Sequence, residues 1–113
     1  MHEMPITQSV LEIALRHAQQ AGAQRILRIT MRVGELSGIV PDSIQFYFDF
    51  VSRETMAEGA ELVFNRLPGR FRCRDCNTEY EASRDDWLCP QCHGVQVEVL
   101  GGREFEVESI EVT

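Results

Sequence analysis

The residues best suited to chemistry are four cysteines at positions 73, 76, 89 and 92, spaced C-x2-C-x12-C-x2-C in "CRDC" and "CPQC". Each pair fits a tight turn that aims two sulfurs at one point. The intervening loop can bring the two turns together as a tetrahedron, and Zn(II) prefers four such thiolates at about 2.3 Å. Asn77 and His93-Gly94 follow the pairs, where such a turn needs left-handed backbone or a close approach. Iron in a rubredoxin-like site uses the same turns and stays open as an alternative. Two disulfides fit poorly with a chain that shows no secretory leader. A redox C-x-x-C would open a helix, and neither pair does. Four sulfurs fill a zinc ion's coordination sphere, so the site reads as structural rather than catalytic.

A second group stands at the start of the chain, "MHE". His2 is bulky, so Met1 is expected to be retained, leaving an α-amine beside an imidazole. The Met1 amine, the deprotonated His2 amide and the His2 imidazole can hold a square-planar ion in fused five- and six-membered rings. Glu3, through its amide or carboxylate, or a water can complete the set. Tetragonal nitrogen and oxygen donors favour Ni(II) or Cu(II) over zinc. Taken alone the triplet is weak evidence, because histidine also occurs near frayed termini by chance.

Composition narrows the function classes. The chain has 113 residues, 11 basic against 18 acidic, for a net charge of −7. Every basic residue is arginine. Four thiolates around one divalent ion would make the balance more negative still. Such a chain is ill suited to nucleic acid, whose binding rests on basic patches that release counterions. No apolar run approaches the roughly 20 residues of a membrane span, and no signal peptide is visible, so a cytoplasmic protein is the default. No Ser–His–Asp set, phosphate-binding glycine loop or activated nucleophile is apparent, and we expect no enzyme activity.

The elements that must position these groups follow from periodicity. Residues 5–22 read as a helix, with Ile6, Val10, Ala14, His17, Ala18 and Ala21 at helical spacing, Leu11 and Leu15 widening the stripe, and Gly22 as the stop. "RILRITMRVG" alternates as a half-buried strand, Leu27, Ile29, Met31 and Val33 facing inward. Pro41 and Asp42 introduce a second helix with Ile44, Tyr47, Phe48 and Val51 on one face. "ELVFNRL" is a further strand, and "VQVEVL" and "REFEVESIEV" read as a hairpin about Gly101-Gly102. A bulge near Glu108–Ser109 would explain the slip in phase of the last strand. The expected fold is α+β: two helices packed on a small mixed or antiparallel sheet, with an inserted zinc-ribbon-like four-cysteine module. Residues 1–69 plus 95–113 form the body, and 70–94 the metal module.

The remaining polar and aromatic features have plainer readings. His17 reads as a packed core or boundary histidine, with an outer role near the terminus left open. "FYFDF" reads as core with one ring free for a partner. Glu104, Glu106, Glu108 and Glu111 form a solvated strand face that guards an edge, and Asp85-Asp86 is a hydrated loop pair.

The triplet, the helix behind it, "VGELSGIVPDSIQFYFDFV", the cysteine module and "ESIEV" together resemble the HypA/HybF family of hydrogenase maturation factors, over nearly the whole chain. The resemblance implies a nickel metallochaperone that delivers Ni(II) to the large subunit of nickel–iron hydrogenase with a GTPase accessory protein, and in some organisms supplies urease. Carried onto this chain, Met1 and His2 would hold nickel, Glu3 would support it, and Cys73, Cys76, Cys89 and Cys92 would bind zinc. A zinc-ribbon interaction module with an inert terminus and a rubredoxin-like electron carrier are the alternatives. Exposed strand edges and a swappable first segment leave room for a homodimer.

Overall fold

Helical spacing in the first segment is realised in α1 (Glu3–Gln20), the first element of a computed structural model that describes residues 3–82 and 87–113. Pro5 lies in the first turn, where backbone N–H groups have no helical partner to lose. The helix ends in a Schellman turn: Gly22 (φ 68°) donates to the Gln19 carbonyl, and Ala23 to the Ala18 carbonyl at 2.9 Å. Then come β1 (Ile26–Gly34), α2 (Pro41–Val51), β2 (Glu61–Leu67), β3 (Gly69–Cys73), β4 (Glu79–Ala82), β5 (Val97–Gly101) and β6 (Phe105–Val112). They make two three-stranded sheets, ordered β2–β1–β6 and β4–β3–β5. The chain divides into two compact units. One comprises Met1–Arg32, Ile39–Asn65 and Glu106–Thr113; the other comprises Val33–Gly38 and Arg66–Phe105. The second therefore includes residues on both sides of 70–94.

In the first unit β1 is the central strand. β6 runs antiparallel to it: Thr113 and Arg25 pair at 3.0 Å, and Arg32 meets Glu106 while Arg28 meets Glu111. Helix α2 is the crossover to β2, the connection a parallel neighbour requires. Val10, Leu11, Ala14 and Ala18 of α1, Ile44 and Phe48 of α2, Ile29 and Met31 of β1, and Leu62 of β2 supply the core. The two helices pack on one another.

Several expectations are corrected in detail. Leu27 is 43% exposed while Ile26 is 1%. The strand starts at Ile26, whose N–H donates to the Met56 carbonyl, and its burial skips two residues before resuming at Ile29. In "FYFDF" two rings face outward rather than one, Phe46 and Phe50. His17 is exposed instead of packed. The glutamates on β6 are ion-paired rather than merely solvated. Arg28 bonds Glu61 and Glu111 at 2.7 Å each, and Arg32 bonds Glu106 at 2.6 Å. Such exposed pairs add little stability singly, but opposite charges on neighbouring strands favour this register over a slipped one.

The largest correction concerns the expected hairpin. β5 pairs antiparallel with β3, and β6 joins the other sheet, so Gly101-Gly102 connects two sheets rather than turning one strand onto the next. The glycines serve close approach. A side chain at Gly102 (φ 110°) would come within 2.7 Å of the Gly69 Cα, and one at Gly34 within 2.0 Å of the Gly102 carbonyl oxygen. The Leu36 N–H donates to that same oxygen at 2.7 Å. In the second unit Phe71 is fully buried on the central strand β3, with Tyr80 and Val99 as its register partners.

Phe48→Ala empties a fully buried site and is expected to cost about 3–5 kcal/mol. Phe46→Ala, two residues away on the exposed face, should leave the midpoint within about 0.5 kcal/mol of the parent. Chemical denaturation followed by far-UV circular dichroism measures both.

Candidate metal centre

Two turns of the same design build the centre. In the first, Cys73 ends β3, its N–H donates to the Thr78 carbonyl at 2.9 Å, and its carbonyl accepts from Asn77 at 2.8 Å. In the second, the Cys89 N–H donates to the Gly94 carbonyl at 3.1 Å, and its carbonyl accepts from His93 at 2.9 Å. Asn77 (φ 63°) and His93 (φ 61°) occupy the left-handed region in matching places, as their positions after the cysteine pairs predict. Gly94 is needed for space: a side chain there would meet Asp75 Oδ2 at 2.7 Å and Cys92 Sγ at 3.2 Å.

The turns bring all four Sγ atoms within 4.8 Å of one another. Cys73 faces Cys92 at 3.5 Å and Cys76 faces Cys89 at 3.6 Å. Sulfurs bound at about 2.3 Å around a tetrahedral ion would stand about 3.8 Å apart, so the set fits a four-sulfur metal site with little adjustment. Cys73 and Cys89 are buried, Cys76 and Cys92 exposed. One sulfur of each pair thus anchors inside while the other closes the site from solvent. Among the described residues these four are the one cluster of metal-binding side chains.

The charge state of the sulfurs shows how the cluster could take up a cation. The Thr78 hydroxyl, 3.1 Å from Cys76 Sγ, and the Thr78 amide hold the Cys76 thiol down at about 6. At Cys92 the Gly94 amide also pulls downward, but hydrogen bonding to Cys73, burial, and the other two cysteines prevail and push it up to about 12. The Cys76 thiolate thus forms readily and that of Cys92 only with help, because thiols that share hydrogen bonds at one site titrate apart. Tyr80 registers the same field. Burial first, and then the four nearby sulfurs, raise its phenol above the usual range. Its hydroxyl donates to the Trp87 carbonyl, and Phe71 lies 5.6 Å from its ring and 6.2 Å from that of Trp87. These aromatics give the metal module a small apolar floor.

Met1, His2 and the Asp85-Asp86 pair lie outside the described residues. Glu3 opens α1, and its carbonyl accepts the Thr7 hydroxyl at 2.7 Å. His17 is fourteen positions further along the helix, about 21 Å away at 1.5 Å per residue. It lines a cleft of about 240 Å³ with Ile13 and residues 107–110. Sequence reasoning missed Thr78 as a support of the first cysteine turn, although a hydroxyl two residues beyond the second cysteine was an available signal.

The fold and this site define a metal-binding α+β protein with a zinc-ribbon-like four-cysteine module, and comparison with known proteins narrows the class. The family described as "Hydrogenase/urease nickel incorporation, metallochaperone, hypA" matches residues 1–112. "Hydrogenase maturation factor HypA" of Geotalea uraniireducens is 45% identical over 99% of each chain. That of Dehalococcoides mccartyi (strain ATCC BAA-2266 / KCTC 15142 / 195) is 44% identical over 99% of this chain and 94% of its own. The fold is also that of the solution structure of the Ni metallochaperone HypA from Helicobacter pylori, with a TM-score of 0.66 at 24% identity over 99% and 97% of the two chains. This chain belongs to the HypA family of nickel-incorporation metallochaperones, which act in hydrogenase maturation and are not enzymes.

Filling the cysteine cluster must displace the protons its thiols retain. At neutral pH, uptake of zinc should release protons, that of Cys92 among them, and affinity should fall as pH drops, because acid restores the thiols. Calorimetry in buffers of different ionisation enthalpy measures the release. Cys73→Ser should abolish tight uptake and unfold the second unit.

Proposed function

We propose that this protein carries Ni(II) at its N-terminus and delivers it to the large subunit of nickel–iron hydrogenase, working with a GTPase accessory protein in the cytoplasm. The Met1 amine and the amide and imidazole of His2 grip the ion, Glu3 completes or caps the set, and Zn(II) on Cys73, Cys76, Cys89 and Cys92 is structural. The observation that carries this reading is a family match running over residues 1–112, which takes in the "MHE" triplet together with the cysteine module. The family description names urease beside hydrogenase, which supports a second recipient.

The chemistry at the chain start is consistent with this role. Glu3 is the first residue of α1 and so lies at the positive end of a helix dipole, a poor place for a bare cation. A deprotonated amide and the Glu3 carboxylate supply two negative charges, which cancel those of Ni(II). The amide gives up its proton only to the ion, so mild acid favours release. A few donors at a terminus also suit a carrier, which must let its cargo go, better than a closed cage does. In this division of labour residues 1–69 and 95–113 serve the nickel end, and 70–94 the zinc module.

Titration of the zinc-loaded protein with nickel, followed by absorbance and calorimetry, should find one site per chain. His2→Ala, N-terminal acetylation or one residue added before Met1 should each weaken it at least about 100-fold, the scale on which lost ligands are felt. Undiminished binding in those variants would leave a zinc-ribbon interaction module as the better account. A red, redox-active preparation would favour the rubredoxin-like reading instead.

A further inference from the structure

Strand β6 is an outer strand of its sheet: among the described residues its one strand neighbour is β1. An edge strand turns alternate N–H and C=O groups away from the sheet, where an added strand can bond them. A cleft of about 240 Å³ opens beside β6, lined by Ile13 and His17 of α1 and by residues 107–110. Consecutive side chains of a strand point to opposite faces, so a cleft lined by four in a row runs to the strand's edge. Its volume falls below the roughly 300–1,000 Å³ of small-molecule pockets. It suits instead one apolar side chain set among Ile13, Val107 and Ile110.

The pattern of charge identifies the occupant. Arg28 on β1 lies between Glu61 of β2 and Glu111 of β6, and Arg32 bonds Glu106 and stands 4.0 Å from Glu108. Four glutamates thus share two arginines. The three on β6 keep 45–56% of their side-chain surface exposed despite these contacts, so carboxylates line the approach to the edge. A strand added there with arginine or lysine at alternate positions would carry the alternation of charge one strand further. Its intervening side chains would fall on the α1 side and reach the cleft. A second copy of β6 is the wrong occupant, because it would set glutamate against glutamate. The net charge of −7 favours a basic segment over an acidic one as well.

We propose that the outer edge of β6 binds an extended, basic segment of another protein as a fourth strand. Cationic side chains at alternate positions lie beside Glu106, Glu108 and Glu111, and an apolar side chain between them enters the cleft next to α1. The proposal stands apart from the nickel reading and needs no metal at the N-terminus.

The probe is a blocked heptapeptide that alternates arginine with valine and leucine, RVRLRVR, titrated into the zinc-loaded full chain at low salt and followed by amide NMR. Saturable shifts should centre on residues 105–112 and on Ile13 and His17. Alternate amides of β6 should exchange with deuterium at least about tenfold more slowly in the complex, the mark of new backbone bonds. Replacing the central leucine by alanine should weaken binding at least about tenfold through lost apolar burial. Proline there should weaken it further, since strand pairing tolerates it poorly. Glu108→Arg should cost about tenfold with unchanged circular dichroism, and the acidic peptide EVELEVE should not bind. Equal binding of the leucine, alanine and proline peptides would show attraction by charge alone and overturn the proposal. Shifts spread over the surface without slowed exchange on β6, or no binding at about 1 mM peptide, would overturn it too.

Discussion

Four sulfurs drawn within 4.8 Å of one another are the constraint on which the second unit depends. Hydrogen bonds from Thr78 hold the Cys76 thiol down at about 6, while hydrogen bonding to Cys73 and burial push Cys92 up to about 12, far apart for chemically identical groups. A divalent cation bound there would remove that conflict at once, and its binding energy would become folding energy for a segment too polar to bury a large core. The supporting structure is economical. One turn design is used twice, each closed by the first cysteine's amide and carbonyl and each passing through a left-handed residue, Asn77 or His93. Phe71 packs against the rings of Tyr80 and Trp87 in the same unit.

The first unit is organised by different physics. Its stability rests on ordinary apolar burial, with α1 and α2 contributing Val10, Leu11, Ala14, Ala18, Ile44 and Phe48 and the central strand contributing Ile26, Ile29 and Met31. Arginine and glutamate alternate across the exposed strands of both sheets: Arg28 and Arg32 on β1 among glutamates of β2 and β6, and Arg72 on β3 between Glu79 and Glu98. The abundance of glutamate that gives the chain its acidity thus also specifies strand register. A metal-supported module and a conventionally packed body in one chain suit a carrier, because the body does not need its cargo in order to fold.

Much of this was legible in the residues, and the exceptions have identifiable causes. The helices and β1 and β2 follow from apolar periodicity, and Gly22 ends α1 as expected. The cysteine spacing anticipates the cluster because a C-x-x-C turn is local, and local geometry is what sequence encodes most directly. Pairing between distant strands is not local. β5 and β6, separated by two glycines, look like a hairpin, yet each finds its partner earlier in the chain. The glycines are required by crowding against Gly34 and Gly69, which a linear reading does not reveal. Strands β3 and β4 are masked by charge, since Arg70, Arg72, Glu79 and Glu81 dominate short segments with one exposed face. His17 misleads for a related reason: it falls at helical spacing with buried residues, but at the edge of the stripe, where an exposed cleft takes it instead of the core.

In the proposed function the two metals take different donors, sulfur for the zinc that would shape the fold and nitrogen with oxygen for the nickel that would be carried. Nickel X-ray absorption on the zinc-replete protein loaded with one equivalent of Ni(II) separates them most directly. The account predicts a near-planar first shell of nitrogen and oxygen donors, including an imidazole, with no sulfur. A first shell containing sulfur would place nickel among the cysteines and contradict it.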